Sequence, residues 1–205
     1  MALGCQSLEP YRNNQDSNQW ICSEFADALL RQGRFEEAIE QHLKVLSQDP
    51  DNGLAHYHLG YAHGQLGLHV GEIAEYSKAV DLGLVRGDLF YNLGMAYMEV
   101  GEYGRAEQAF HQAIELEPEF SENHLALGLV HYKLEHFQEA IIACRQATIL
   151  AADNPDAWHC LALASARADQ IGESWNALER LRKLDPAYRL DPFLLELFSL
   201  EGESH

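Results

Sequence analysis

Between Gln19 and Tyr188 apolar residues recur at two spacings at once. Within short stretches they fall three or four residues apart, as on one face of an α-helix, and the whole arrangement then repeats every 34 residues. Segments beginning at Gln19, Gly53, Gly87, Ser121 and Pro155 align without insertion, giving copies 19–52, 53–86, 87–120, 121–154 and 155–188. Repeat position 7 is Phe25, Leu59, Leu93, Leu127 and Leu161, and position 8 is small throughout: Ala26, Gly60, Gly94, Gly128 and Ala162. Position 20 holds Ala38, Glu72, Ala106, Ala140 and Ser174; position 27 holds Val45, Ala79, Ala113, Ala147 and Leu181.

The pattern predicts two antiparallel helices per copy. Large residues at positions 4, 7 and 11 make one apolar stripe, and small ones at 8 and 20 let the paired axes approach to about 8–10 Å. Gly33, Gly67 and Gly101 at position 15 release the chain into the turn, while Pro50, Pro118 and Pro186 mark the next boundary. Asn52 and Ser121 are expected N-caps, and Asn154-Pro155 and Asp191-Pro192 pair a cap with proline at the first helical position. One hairpin cannot hide its own apolar face, so neighbouring copies must stack.

These residues resemble the tetratricopeptide repeat (TPR) family, over residues 19–188. The resemblance implies an all-α fold, an α-solenoid of five TPR helix-turn-helix repeats with a C-terminal capping helix in 189–205 and a polar, disordered segment in 1–18. Departures fall in copies two, four and five, and looser packing is expected in copies two and four. Glu72 replaces alanine and Leu84 proline, and Glu135 and Asp169 stand where copies four and five need the turn glycine.

The family lines a concave groove with the first helix of each pair, and binds segments of other proteins there without catalysis. Carried over, the groove comprises Trp20, Glu24 and Asp27; Tyr57, His58 and Tyr61; Asp88, Tyr91, Asn92, Met95 and Met98; Glu122, Leu125, Leu129, Tyr132 and Lys133; and His159 and Leu163. Tyr and Met suit recognition surfaces because they bring area with few torsions or with adaptability. Acids (Glu24, Asp27, Asp88, Glu99, Glu122, Asp156) outnumber bases (Arg31, Lys133, Arg167), so a partner peptide or helix with apolar anchors and net positive charge is expected. Replacing Tyr57 and Tyr91 by alanine is expected to weaken partner recovery with little loss of stability. The clamp that some relatives use for acidic chaperone tails is not expected. Asn92 matches its asparagine, but Glu122 and Ala126 occupy the places of its cations.

Composition narrows the alternatives. The formal charge is −18, which opposes nucleic-acid binding, and 47% hydrophobic residues supply a core. No run reaches the roughly 20 apolar residues a membrane span requires. Cys5, Cys22, Cys144 and Cys160 lack metal-type spacing and read as reduced thiols in a cytoplasmic protein. Ala2-Leu3-Gly4-Cys5 carries the alternative of a periplasmic lipoprotein, should an apolar leader have been removed upstream. The functional alternatives are an envelope-tethered assembly factor and a regulatory piece of a larger enzyme. No GxSxG, P-loop or HExxH motif is present, and neither catalytic residues nor a cofactor is expected. Of the eleven histidines, His56 and His63, like His124 and His131, stand seven apart. That is roughly 10 Å along a helix, too far to share an ion without a third element between them. They are read as replacing aromatic residues, packed with a hydrogen bond, and no metal is expected.

Overall fold

The computed structural model describes residues 23–201, with side chains to 196. Expectations placed on residues 1–22, including Trp20, Cys5 and Cys22, lie outside the described residues. The chain divides into two compact units at Val100/Gly101, within the third copy. The first unit holds α1 (Glu24–Arg31), α2 (Phe35–Gln48), α3 (Gly53–Gln65), α4 (His69–Asp81) and α5 (Gly87–Glu99). The second holds α6 (Tyr103–Leu116), α7 (Ser121–Lys133), α8 (Phe137–Leu150), α9 (Pro155–Arg167), α10 (Ile171–Leu184) and α11 (Pro192–Glu201). Among the described residues helix is the one regular structure.

Capping follows local chemistry. Asn52 accepts a hydrogen bond from the Ala55 N–H at 3.0 Å, and Asn154 accepts from Asp156 N–H ahead of Pro155. Ser23 caps α1 in the same way. Ser121 does not cap α7, because the helix already begins there and Phe120 occupies the cap. The within-copy turns of copies one, two, four and five end their first helix with the same closure. The backbone N–H of Arg34, Leu68, His136 and Gln170 returns to the carbonyl of Leu29, His63, His131 and Ser165, five residues back.

That closure demands a left-handed residue. Gly33 and Gly67 supply it at φ 72° and 70°, and Glu135 and Asp169 adopt it at φ 62° and 59° despite their Cβ atoms. Left-handed backbone costs an L-residue about 1–2 kcal/mol, part of which glycine gives back in chain entropy. Glu135→Gly and Asp169→Gly are therefore each expected to stabilise the protein by about 0.5–1 kcal/mol. Thermal unfolding of the variants should show Tm raised by about 2–4 °C; an unchanged or lowered Tm would contradict the strain argument.

Packing centres on repeat position 24, which the hydrophobic pattern left unmarked. His42, Tyr76, Phe110, Cys144 and Leu178 occupy it, and all are 0 or 1% exposed. The small residue at position 8 exists to admit this side chain. A Cβ on Gly60 would lie 2.6 Å from the Tyr76 ring, and one on Gly128 would meet Cys144 Sγ at 2.5 Å. Copies two and four therefore do not pack loosely at these crossings. Glu72 is sheltered in the space that Gly64 leaves open, with His69 Nδ1 at 3.0 Å from its Oε2. Burial holds the Glu72 carboxyl above its ordinary range, partly offset by His69. Leu84 replaces proline because copy two ends differently: Gly83 turns left-handed at φ 89°, and the Leu84 N–H, which proline lacks, bonds to the Ala79 carbonyl.

At the C-terminal end, Leu194 of α11 is fully buried in a cluster with Leu161, Leu178 and Leu181. The capping helix thus covers the last copy. Phe193 packs against the same cluster under the Arg167 guanidinium, 4.2 Å from its ring centroid.

Candidate functional site

The first helices of the copies carry the expected lining, and the structure divides it into three groups. The first group is buried. Tyr57, His58 and Leu163 are only 5–8% exposed, so these three do not present their side chains to a partner. The reason is contact between copies. Tyr57 donates its hydroxyl to Asp88 Oδ2 at 3.1 Å, packs on Tyr76, and lies under Arg86 at 5.2 Å. Burial and the Asp88 carboxylate drive its phenol far above its ordinary range, so it stays protonated. The expectation that Tyr57→Ala costs little stability is corrected accordingly.

The second group consists of acids already engaged within the chain. Asp27 Oδ1 lies 2.9 Å from His58 Nδ1 and 3.9 Å from His42 Nε2. Asp88 accepts a two-pronged pair from Arg86 at 2.8 and 2.6 Å. Asp156, at the start of α9, accepts the Tyr188 hydroxyl at 2.6 Å, beside the His159 ring. Glu122 accepts from the Ser121 hydroxyl at 2.9 Å. The surplus of groove carboxylates is smaller than a count of residues suggests, because neighbouring copies neutralise part of it.

The third group remains accessible. On α5, Tyr91, Met95 and Met98 fall at helical spacing and are all half-buried, with Asn92 beside them and Glu99 exposed. Tyr61 of α3 is half-buried against Phe35, and Glu24 is exposed on α1. In the second unit Leu129 and Lys133 are exposed and Leu125 is half-buried. Half-buried Tyr132 meets Phe137 and accepts a hydrogen bond from Arg167 Nε at 3.2 Å. A separate cleft of ≈ 370 Å³ lies between α10 and α11, lined by Leu181, Arg182, Tyr188, Arg189 and Leu195, and includes none of the expected lining.

The histidines and cysteines form arrangements the sequence concealed. Rings at position 4 reach the carbonyl six residues back: His56 Nε2 to Pro50 O at 3.1 Å, His124 Nε2 to Pro118 O at 2.8 Å, and Trp158 Nε1 to Ala152 O at 2.9 Å. Histidine replaces tryptophan there because both offer a ring N–H in the same place. Position 24 of one copy meets position 6 of the next. His42 and His58 rings stand 5.2 Å apart, and Cys144 and Cys160 are joined by a disulfide between α8 and α9, Cα atoms 5.7 Å apart. The reading of these two as reduced thiols is corrected; a 16-residue interval gave no hint of their approach. Two sets, Asp27–His42–His58 and Glu107–His111–His131, bring one ligand-type atom from each residue within 4.8 Å of the others.

Helix pairs that stack copy on copy define a helical-repeat scaffold. No helix among the described residues is long and apolar enough to cross a membrane. The family follows from comparison: models described as "TPR repeat" and "Tetratricopeptide repeat" match residues 26–67 and 91–157. The chain is a tetratricopeptide repeat protein of the α-solenoid class. Neither matching family is an enzymatic one. Among solved structures, MamA is similar at TM-score 0.76 and 25% identity, covering 81% of this chain and 97% of that one. YrrB, described as a TPR protein with an unusual peptide-binding site, is similar at TM-score 0.75 and 21% identity, covering 88% and 89%. Cilia- and flagella-associated protein 70 of Homo sapiens is 32% identical over 96 residues, 47% of this chain. The matched stretch spans only 8% of that relative's length.

Proposed function

We propose that this scaffold holds an extended or helical segment of another protein against the first helices of its N-terminal unit, with α5 as the main contact. The observation that carries this reading is the half-exposed stripe Tyr91, Met95 and Met98. Rigid aromatic and adaptable thioether side chains on one helix face suit an apolar anchor of varying shape. Exposed Glu24 and Glu99, in a chain of charge −18, favour cations flanking that anchor. The similarity to YrrB supports the fold that such binding uses.

Affinity purification of partners from the native source tests this. Tyr91→Ala combined with Met95→Ala is expected to reduce recovery at least about tenfold, the effect of losing roughly 1.4 kcal/mol at a recognition hot spot. Recovery should also fall as salt screens the carboxylates. Partner recovery equal to wild type, from a variant with an unchanged circular dichroism spectrum, would refute the assignment of α5.

A further inference from the structure

Glu107 and His111 stand four residues apart on α6, so their side chains share one face. His131, in the last turn of α7, comes against that face. Its Nδ1 is 3.9 Å from Glu107 Oε1, and its ring centroid is 6.5 Å from that of His111. The His131 side chain is 9% exposed, and its Nδ1 is fully buried with no hydrogen-bond partner. A buried ring nitrogen in that state marks a place for an ion or a water. Glu107 Oε1, at 3.9 Å, lies beyond hydrogen-bond reach of it. His131 Nδ1 and Glu107 Oε1 face each other at the C-terminal, negative end of α7, where a cation is favoured.

We propose that Glu107, His111 and His131 bind a divalent first-row transition-metal ion, zinc being the representative, through two imidazole nitrogens and one carboxylate oxygen. Nitrogen donors exclude calcium and magnesium, which take oxygen ligands. Three protein ligands leave a coordination position for water, the arrangement of open zinc sites. Zinc bonds of about 2.0–2.2 Å place ligand atoms roughly 3.3–3.5 Å apart. Exposed His111 and half-buried Glu107 close the present separations, all within 4.8 Å, by small side-chain rotations. Along α7 His124 and His131 have no third element between them; α6, from the preceding copy, supplies that element to His131.

The test is calorimetric titration of the full chain with zinc chloride at pH 7.5, joined to visible absorption of the cobalt-loaded protein. Saturable zinc binding reversed by EDTA is expected, with cobalt bands of a low-coordinate site. Glu107→Gln and His111→Ala, both accessible positions, should each weaken binding at least about tenfold. His131→Gln should abolish the cobalt bands, while Asp27→Asn, in the other histidine cluster, should leave both readouts unchanged. The proposal is overturned by zinc binding no tighter than about 1 mM. Binding that survives both Glu107→Gln and His111→Ala, or that Asp27→Asn alone removes, overturns it as well.

Discussion

Replacing Tyr76 by alanine is expected to cost about 3–5 kcal/mol of stability, the range for deleting a fully buried aromatic ring. Tyr76 is 1% exposed, packs on Tyr57, and fills the space that Gly60 leaves. The same contact predicts the converse. Gly60→Ala places a Cβ 2.6 Å from the ring and should cost about 1–3 kcal/mol by overpacking. Copies one and five show how the two positions trade volume, since Ala26 and Ala162 accompany the smaller His42 and Leu178. In a Tyr76→Leu background, Gly60→Ala should therefore cost at least about 1 kcal/mol less than alone, a coupling typical of residues in contact. Urea unfolding of the four-member cycle measures this. Strict additivity would show that the glycine does not answer to the ring.

Acidification supplies the second large effect. His42 is fully buried, and burial, with His58 adding and Asp27 opposing, lowers its pKa from 6.5 to about 4. The unfolded chain thus takes up a proton below about pH 6.5 that the folded chain refuses until about pH 4. Stability from neutral His42 is complete above pH 6.5 and drains away as pH falls through that window. Between pH 7 and 4.5 the loss is about 2–3 kcal/mol, since one pKa unit is worth 1.36 kcal/mol. His159, held low by burial against Asp191 and Asp156, adds in the same direction. Glu72, held high by burial, opposes. His42→Phe, the residue of copy three at this position with Phe110, isolates the contribution. In EDTA its Tm should fall with pH by roughly 5–10 °C less than that of wild type, at about 2–4 °C per kcal/mol. Parallel curves for the two proteins would show that His42 is not the group refusing the proton.

Of the histidines read as replacing aromatic residues, His131 is buried as well, and burial lowers its imidazole pKa. His56 and His124 instead sit at the edge of their helices, holding the carbonyls of Pro50 and Pro118. The fully buried imidazole belongs to His42, at a position whose five occupants are His, Tyr, Phe, Cys and Leu. No pattern of residue type marks such a position, since what those side chains share is a location opposite a small residue.

The candidate groove shows the same division. A helical stripe such as Tyr91, Met95 and Met98 is visible from spacing, because 3.6 residues per turn place those positions on one face. Spacing also names Tyr57 and His58 as lining residues. It is silent about Asp88 and Asp27, each 31 residues from its partner, which draw those side chains into the contact between copies. Neutralisation of Asp88 by Arg86 likewise depends on how the backbone enters α5.

Period, small residues and turn glycines by themselves determined the helix pairs, their boundaries and the cap, because these depend on interactions within a few residues and on a repeat that every copy records. Tertiary structure alone decided which side chain of one copy meets which of the next: His42 with His58, Cys144 with Cys160, and Glu107 and His111 with His131. The reason is geometric. Periodicity along a helix states which face is turned inward, whereas the partner placed against that face is set by the crossing of two helices, and the chain carries no local trace of that crossing.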